Sequence, residues 1–153
     1  YGGTNPVSGS FYNFTTPESL GVVACFISDQ SSLTSIVHSI APILAGGNTL
    51  VAIAHEDYPL SAITLSEVIA TSDVPGGVVN ILTGKANEIA PWVGSHMDID
   101  GVDGSGLDSS TYDALRKDGA DNLKRINRFD EVKSPQRVLA FMENKTVWHP
   151  IGI

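Results

Sequence analysis

Residues 21–27, Gly21-Val22-Val23-Ala24-Cys25-Phe26-Ile27, form an uninterrupted apolar run that is rich in β-branched side chains. Such a run is typical of a strand that is covered on both faces, as in a parallel sheet. The polar residues 28–31 follow and suit the beginning of a helix. Apolar residues then recur with helical spacing and form one stripe, at Leu33, Ile36, Val37, Ile40, Ala41 and Leu44.

This pairing of a strand with a helix repeats along the chain. Gly46-Gly47 ends the first helix, and a helix begins at Pro59 after a second strand at residues 49–54. Three more strands are predicted at residues 78–82, 98–102 and 122–126, with helices at residues 86–96 and 109–117. Strands separated by helices predict right-handed crossovers. We therefore expect an α/β fold, a Rossmann-like parallel sheet with helices on both faces.

The C-terminal part has a different pattern. Residues 129–137 are polar and irregular, residues 138–142 are apolar, and residues 146–151 predict an extended strand whose Pro150 places it at a sheet edge. Because the parallel sheet is already complete, a spare apolar strand suits pairing with another chain or domain. We divide the chain into an N-terminal extension (1–14), an α/β domain (15–127), and a linker with a terminal interface strand (128–153).

The charge of the chain bears on its partners. The net charge of −8 argues against nucleic acid and against an anionic membrane, because both require clustered Lys and Arg. Up to Asp113 there are twelve acids and one base, and from Arg116 onward there are eight bases and five acids. The basic segment at residues 116–137 is interleaved with acids, so we expect it to be solvated or to face a subunit rather than to bind an anion.

The single cysteine and the N-terminus indicate the compartment. Cys25 is alone, so no internal disulfide forms, and an intracellular, cytoplasmic location is expected. The N-terminus has no basic region followed by an apolar stretch, so no signal peptide is expected. It also has no starting Met, so the chain can be a piece of a longer protein.

Three stretches together resemble the aldehyde dehydrogenase superfamily. They are Ile40-Ala41-Pro42-Ile43-Leu44-Ala45-Gly46-Gly47-Asn48-Thr49-Leu50-Val51, then Pro75-Gly76-Gly77-Val78-Val79-Asn80-Ile81-Leu82-Thr83-Gly84, then Ser95-His96-Met97-Asp98-Ile99-Asp100. The order and spacing match over residues 15–106, and the resemblance implies that residues 15–127 are an aldehyde-dehydrogenase-like dinucleotide-binding-type domain. Ala120-Asp121-Asn122-Leu123-Lys124-Arg125 and Lys145-Thr146-Val147-Trp148 resemble the end of the degenerate second unit of family-16 aldehyde dehydrogenases.

The resemblance implies cofactor-binding positions and also shows what has been lost. It assigns vestigial NAD(P) contacts to Glu56, Gly84, Gly104 and Ser105. Three positions depart from the family pattern: Gln30 replaces the oxyanion-holding asparagine, Ile53 replaces the ribose-contacting lysine, and Ala86 replaces a glycine. The region that holds the nucleophilic cysteine and the general-base glutamate has no counterpart. We therefore expect no catalytic residues, and no cofactor beyond weak NAD(P) binding.

Cysteine and histidine residues are the other candidates for chemistry. Cys25 lies inside the first strand, where a thiol is typically a small buried apolar group rather than a nucleophile. His38 and His96 fall on or near helices, and His149 beside Trp148 suits an interface. The run His55-Glu56-Asp57 could ligate a metal, but no second cluster completes a tetrahedral set, so we expect none. The glycine fingerprint that starts at Gly104 fails at its third position, Ser109.

Three functional hypotheses follow. The leading one is a non-catalytic, dehydrogenase-like module with a structural or assembly role, which pairs through residues 144–153 with a second copy or with a dehydrogenase domain. The second is the NAD(P)-binding portion of an active aldehyde dehydrogenase whose catalytic half lies elsewhere. The third is a stand-alone nucleotide-binding regulator.

Overall fold

The computed structural model describes residues 2–28, 33–129 and 135–152. These residues form two sheets and five helices. In chain order the elements are β1 (Gly3–Asn5), β2 (Phe11–Ser19), β3 (Val22–Phe26), α1 (Leu33–Ala45), β4 (Thr49–Ile53), α2 (Leu60–Ala70), β5 (Val79–Leu82), α3 (Ala86–Ser95), β6 (Gly101–Asp103), α4 (Ser109–Asp118), β7 (Arg125–Asn127), α5 (Gln136–Leu139) and β8 (Met142–Pro150).

The larger sheet confirms the predicted α/β fold. Its five strands are all parallel, in the order β5-β4-β3-β6-β7. Buried residues of α1 and α2 pack on one face of β3 and β4, whereas those of α3 and α4 pack on the other face. The chain winds outward from β3 to β5 and then returns to β6 beside β3. The point between β3 and β6, where the winding reverses, is where ligands bind in sheets of this kind.

The first predicted strand is covered on both faces, as expected. Val23 and Cys25 lie in the core on the α1 side, and Ala24 and Phe26 lie in the core on the α3 side. The predicted stripe of α1 is only partly correct. Ile36, Ile40 and Ile43 carry the buried face, while the stripe members Leu33 and Val37 are 55% and 39% exposed.

The two N-terminal strands of the smaller sheet, β1 and β2, were not predicted. It is antiparallel, with the order β1-β2-β8, and β8 pairs with β2 over its full length, from Phe11↔Pro150 to Ser19↔Met142. The predicted terminal strand therefore exists and lies at an edge, with a strand of its own chain on one side. β2 passes through the predicted boundary at residues 14 and 15.

The C-terminal segment also covers the larger sheet. The crossovers place no helix over β6 and β7 on the α1 side, and a parallel sheet needs cover on both faces. Phe141, which is fully buried, packs there with Leu20 and Ala140, and α5 contacts α1. Among the described helices, none is long and apolar enough to cross a bilayer.

Candidate functional site at the carboxyl edge of the parallel sheet

The four residues that the resemblance assigns to a cofactor all lie at one edge of the larger sheet. Glu56 follows β4, Gly84 follows β5, and Gly104 and Ser105 follow β6. Because parallel strands end on the same side, these residues share the carboxyl edge, and the last two lie beside the point where the winding reverses. Glu56 and Gly84 are exposed, whereas Gly104 is buried and Ser105 is half-buried.

The turn after β6, residues 104–107, contacts the ends of β3 and β7, the two strands that flank β6. The Gly104 amide donates to Asn127 O at 2.8 Å, and the Gly106 amide donates to Phe26 O at 3.0 Å. A Cβ on Gly106 would lie 2.5 Å from Ile27 O and 2.6 Å from Phe26 O. The turn can therefore approach the end of β3 this closely only because residue 106 is glycine.

A buried ion pair lies under this turn. Asp103 is fully buried, and its Oδ2 accepts a hydrogen bond from Arg137 Nη2 at 2.5 Å. Its Oδ1 accepts from the Ser105 amide at 3.0 Å and from Ser105 Oγ at 2.5 Å. A buried carboxylate requires such partners. This pair was not predicted, because the strand was predicted at residues 98–102 and Asp103 lay just beyond it.

The position of Arg137 differs from what the sequence predicted for the basic segment. The segment at residues 116–137 was predicted to be solvated or to face a subunit, but the Arg137 side chain is only 11% exposed and pairs with Asp103. Its guanidinium carbon also lies 5.0 Å from the centre of the Phe129 ring. Arg128 is likewise engaged within the chain, since its guanidinium lies over the Tyr112 ring and donates to Leu107 O. Residues 130–134 of this segment lie outside the described residues.

The N-terminus of α4 is capped by the chain itself. Asp108 Oδ1 accepts from the Ser110 and Thr111 amides at 2.9 and 3.0 Å, and both hydroxyls also donate to its carboxylate. The hydrogen bonds from the Ser110 side chain, and then those from Thr111, hold the pKa of Asp108 well below its usual range. The carboxylate is thus charged and occupies donors that can bind anions in this fold.

Two of the three residues that depart from the family pattern, Ile53 and Ala86, lie in the described part of the chain, and both pack in or against the core. Ile53, at the lysine position, is 1% exposed and packs in the core on the α3 side, so it contacts no solvent-borne ligand. Ala86, at the glycine position, packs partly buried against the same core. Gln30, at the asparagine position, lies outside the described residues.

The remaining candidate residues do not form a reactive site. Cys25 is fully buried, and burial raises the pKa of its thiol well above the usual value; the Asp103 charge raises it further, while Arg137 lowers it. His55 Nδ1 accepts from the Asp57 amide at 3.3 Å, and its ring stacks on Tyr58. In the described parts of the chain, no group of three His, Cys, Asp or Glu side chains could hold a metal. His38, His96 and His149 are exposed.

Comparison with known proteins identifies the fold and the family. The model of the "Aldehyde dehydrogenase family" matches residues 1–147. Human aldehyde dehydrogenase 1A1 is 37% identical over 141 residues, which are 91% of this chain and 28% of that protein. Retinal dehydrogenase 2 of Taeniopygia guttata is 34% identical over 140 residues, which are 92% of this chain and 27% of that protein.

Solved structures of aldehyde dehydrogenases have the same fold. Betaine aldehyde dehydrogenase from Staphylococcus aureus, solved in complex with NAD+, is 25% identical and superposes with a TM-score of 0.74 over 82% of this chain and 25% of that one. An aldehyde dehydrogenase from Brucella melitensis biovar abortus is 26% identical, with a TM-score of 0.71 over 82% of this chain and 26% of that one. The chain thus spans 28% or less of the relatives named here. It belongs to the aldehyde dehydrogenase family.

Proposed function

We propose that this chain is a non-catalytic aldehyde-dehydrogenase-like module whose role is structural, and that it assembles with a second copy or with a dehydrogenase domain. The observation that carries the proposal is the outer edge of β8. This nine-residue strand pairs with β2 on one side, and no strand of the described residues pairs with it on the other.

The register defines which backbone groups face outward. The Ile151 amide donates to Ser10 O at 2.9 Å, so the antiparallel alternation directs the odd-numbered amides of β8 toward β2. The amides and carbonyls of Asn144, Thr146 and Trp148 therefore face outward. Pro150 occupies an outward position, where its missing N–H costs no bond to β2. A row of unpaired backbone groups of this kind is a template for another strand.

The side chains around this edge also favour a partner. Residues 144–150 are all exposed, and Trp148 is 59% exposed. The Trp148 ring contacts Phe11 edge to face, with ring centres 5.9 Å apart. Tyr12 and Val147, on the opposite face of the same sheet, are exposed too. Aromatic side chains concentrated on an open strand edge are typical of a protein interface rather than of a free surface.

The thiol chemistry of the chain supports the non-catalytic part of the proposal. Cys25 is the single cysteine of the sequence, and the thiolate is the reactive form of a cysteine. Burial inside β3 raises the pKa of the Cys25 thiol and excludes a substrate from it. The chain alone therefore has no nucleophilic cysteine for aldehyde oxidation.

Proline substitution tests the edge. Thr146→Pro removes one outward amide and keeps every bond to β2, so we expect a folded chain whose association, measured by sedimentation velocity, weakens about tenfold or more. Thr146→Val is the matched control, because it loses the same hydroxyl contact with Thr15 and keeps the amide. Deleting residues 144–153 should weaken association as well. Association of the Thr146→Pro chain with the strength of the Thr146→Val chain would contradict the proposal.

The rival function is the NAD(P)-binding portion of an active aldehyde dehydrogenase. One observation favours it: Glu56, Gly84, Gly104 and Ser105 share the carboxyl edge. It requires cofactor binding by this chain, so calorimetric titration with NAD and with NADP discriminates between the two functions. Sub-millimolar affinity favours the rival, and no detectable heat at that concentration favours the assembly module.

A further inference from the structure

We infer that the turn after β6 is a closed structural latch, which fastens the C-terminal segment to the parallel sheet and leaves no site for a dinucleotide's phosphates there. This latch does not involve the outer edge of β8, so it is independent of the assembly role proposed for that edge. Three features of the described residues support it.

The first feature is that the backbone amides of the turn already donate hydrogen bonds within the chain. A phosphate at this position is bound by free backbone N–H groups. The Gly104 and Gly106 amides donate to Asn127 O and Phe26 O, the Ser105 amide donates to Asp103 Oδ1, and the Leu107 amide donates to Gly104 O. All four consecutive amides are thus bonded within the chain. A phosphate could gain them only by breaking the contacts that close the turn.

The second feature is the carboxylate of Asp108 at the N-terminus of α4. It accepts from the Ser110 and Thr111 amides and from both of their hydroxyls. An incoming phosphate would compete for the same donors and would also meet a negative charge at short range. The residues present do not fit the phosphates of NAD(P), and this differs from what the resemblance implies for Gly104 and Ser105.

The third feature is the network that ties the turn to the C-terminal segment. Ser105 Oγ donates to Asp103 and accepts from the Phe129 amide at 2.9 Å. Asp103 Oδ2 binds Arg137, which is the second residue of α5. The Phe129 ring meets the Phe141 ring edge to face at 5.9 Å, and Phe141 immediately precedes β8. Turn, α5 and β8 are therefore held by one continuous set of contacts.

The ion pair is the decisive element of this latch. Removing Arg137 alone would leave Asp103 as a buried charge without its partner, whereas removing both charges would not. The C-terminal segment should therefore loosen in the single variant and recover in the double variant. If these residues formed a ligand site instead, they could be replaced without loosening β8.

A phosphate titration of the wild-type chain tests whether the turn is closed. Inorganic pyrophosphate and NAD are added at millimolar concentration while backbone amide shifts are followed by NMR. We expect no saturable shift at Ser105, Gly106, Ser110 and Thr111. A saturable shift at these amides would overturn the inference, whatever the assembly state of the chain, since it reports on the turn and not on β8.

Hydrogen exchange tests the latch. In Arg137→Met, the amides of residues 143, 145, 147 and 149, which face β2, should exchange about tenfold faster than in the wild type, or more. Asp103→Leu combined with Arg137→Met should restore at least part of the protection. Arg116→Met removes an exposed arginine of α4 and is the matched control. Equal exchange in Arg137→Met and Arg116→Met would refute the latch, and the titration of the wild type remains decisive if a variant does not fold.

Discussion

Asn48 Nδ2 donates a hydrogen bond to Phe141 O at 2.9 Å, which joins the loop before β4 to the residue before β8 across 93 positions of sequence. The same nitrogen donates to Ile43 O at 3.0 Å, and Asn48 Oδ1 accepts from the Gly21 amide at 2.9 Å. Asn48 is buried, so these three bonds have no competition from water. One amide side chain therefore fixes the end of α1, the beginning of β3 and the root of the smaller sheet.

Replacing Asn48 by Leu should lower the free energy of unfolding by about 2–4 kcal/mol, because the Gly21 amide loses its partner and the Ile43 and Phe141 carbonyls each lose one of two hydrogen bonds. Urea denaturation measures the loss. Asn87→Ala, on the exposed side of α3, is the control and should change stability little. An Asn48→Leu chain as stable as Asn87→Ala would show that the Asn48 hydrogen bonds do not contribute to joining the two sheets.

Local pattern was sufficient for the parallel sheet and insufficient for the boundaries of its last strands. β6 was predicted at residues 98–102 and occupies Gly101–Asp103, because residues 97 and 98 form a turn; Asp100, which follows the turn, bonds to Val22 through both its backbone amide and its Oδ2. β7 was predicted at residues 122–126 and occupies Arg125–Asn127. There, Leu123 adopts a positive φ of 58°, and Lys124 Nζ donates to Ile99 O at 2.7 Å. These side-chain contacts are invisible to periodicity.

Long-range pairing explains what the sequence did not reveal. β2 has polar and aromatic residues without a clear alternation, and it forms a strand because β8 pairs with it from the other end of the chain. The candidate site follows the same rule. Gly104 and Ser105 follow β6 at the carboxyl edge, but the partner of Asp103 comes from Arg137, 34 positions away in a polar segment. No spacing rule connects such residues.

Gly106 offers a test of the close approach between the turn and β3. Gly106→Ala would place a Cβ 2.5 Å from Ile27 O, and the obstacle is backbone that cannot rotate away. We expect a loss of about 1–3 kcal/mol in the free energy of unfolding, as for other overpacked sites. Gly76→Ala is the control, because a Cβ there meets nothing within 4 Å. Equal thermal midpoints for the two variants would mean that the turn can move off β3.

Asp108 predicts a pH dependence. Its hydrogen bonds with Ser110 and Thr111 lower its pKa in the folded chain below the ordinary value of 3.8. The unfolded chain therefore takes up this proton first, so the stabilisation is complete above that value and is lost as the pH falls below it. Thermal midpoints of wild type and Asp108→Ala should differ at pH 7 and converge in acid. Asp113→Ala removes an exposed carboxylate from the middle of α4 and is the matched control.

The Cys25 thiol predicts the opposite trend at alkaline pH, where its contribution to the free energy of unfolding falls as the pH rises. Its pKa in the folded chain is raised above the ordinary value of 9.0, chiefly by burial, so the unfolded chain loses this proton first as the pH rises. The stability advantage of the wild type over Cys25→Ala should shrink above pH 9 by about 1.4 kcal/mol per pH unit. The same burial predicts that an aromatic disulfide reagent labels the thiol in urea and not in the native chain. Rapid labelling of the native chain would show that β3 opens, and that the thiol cannot be discounted as a nucleophile.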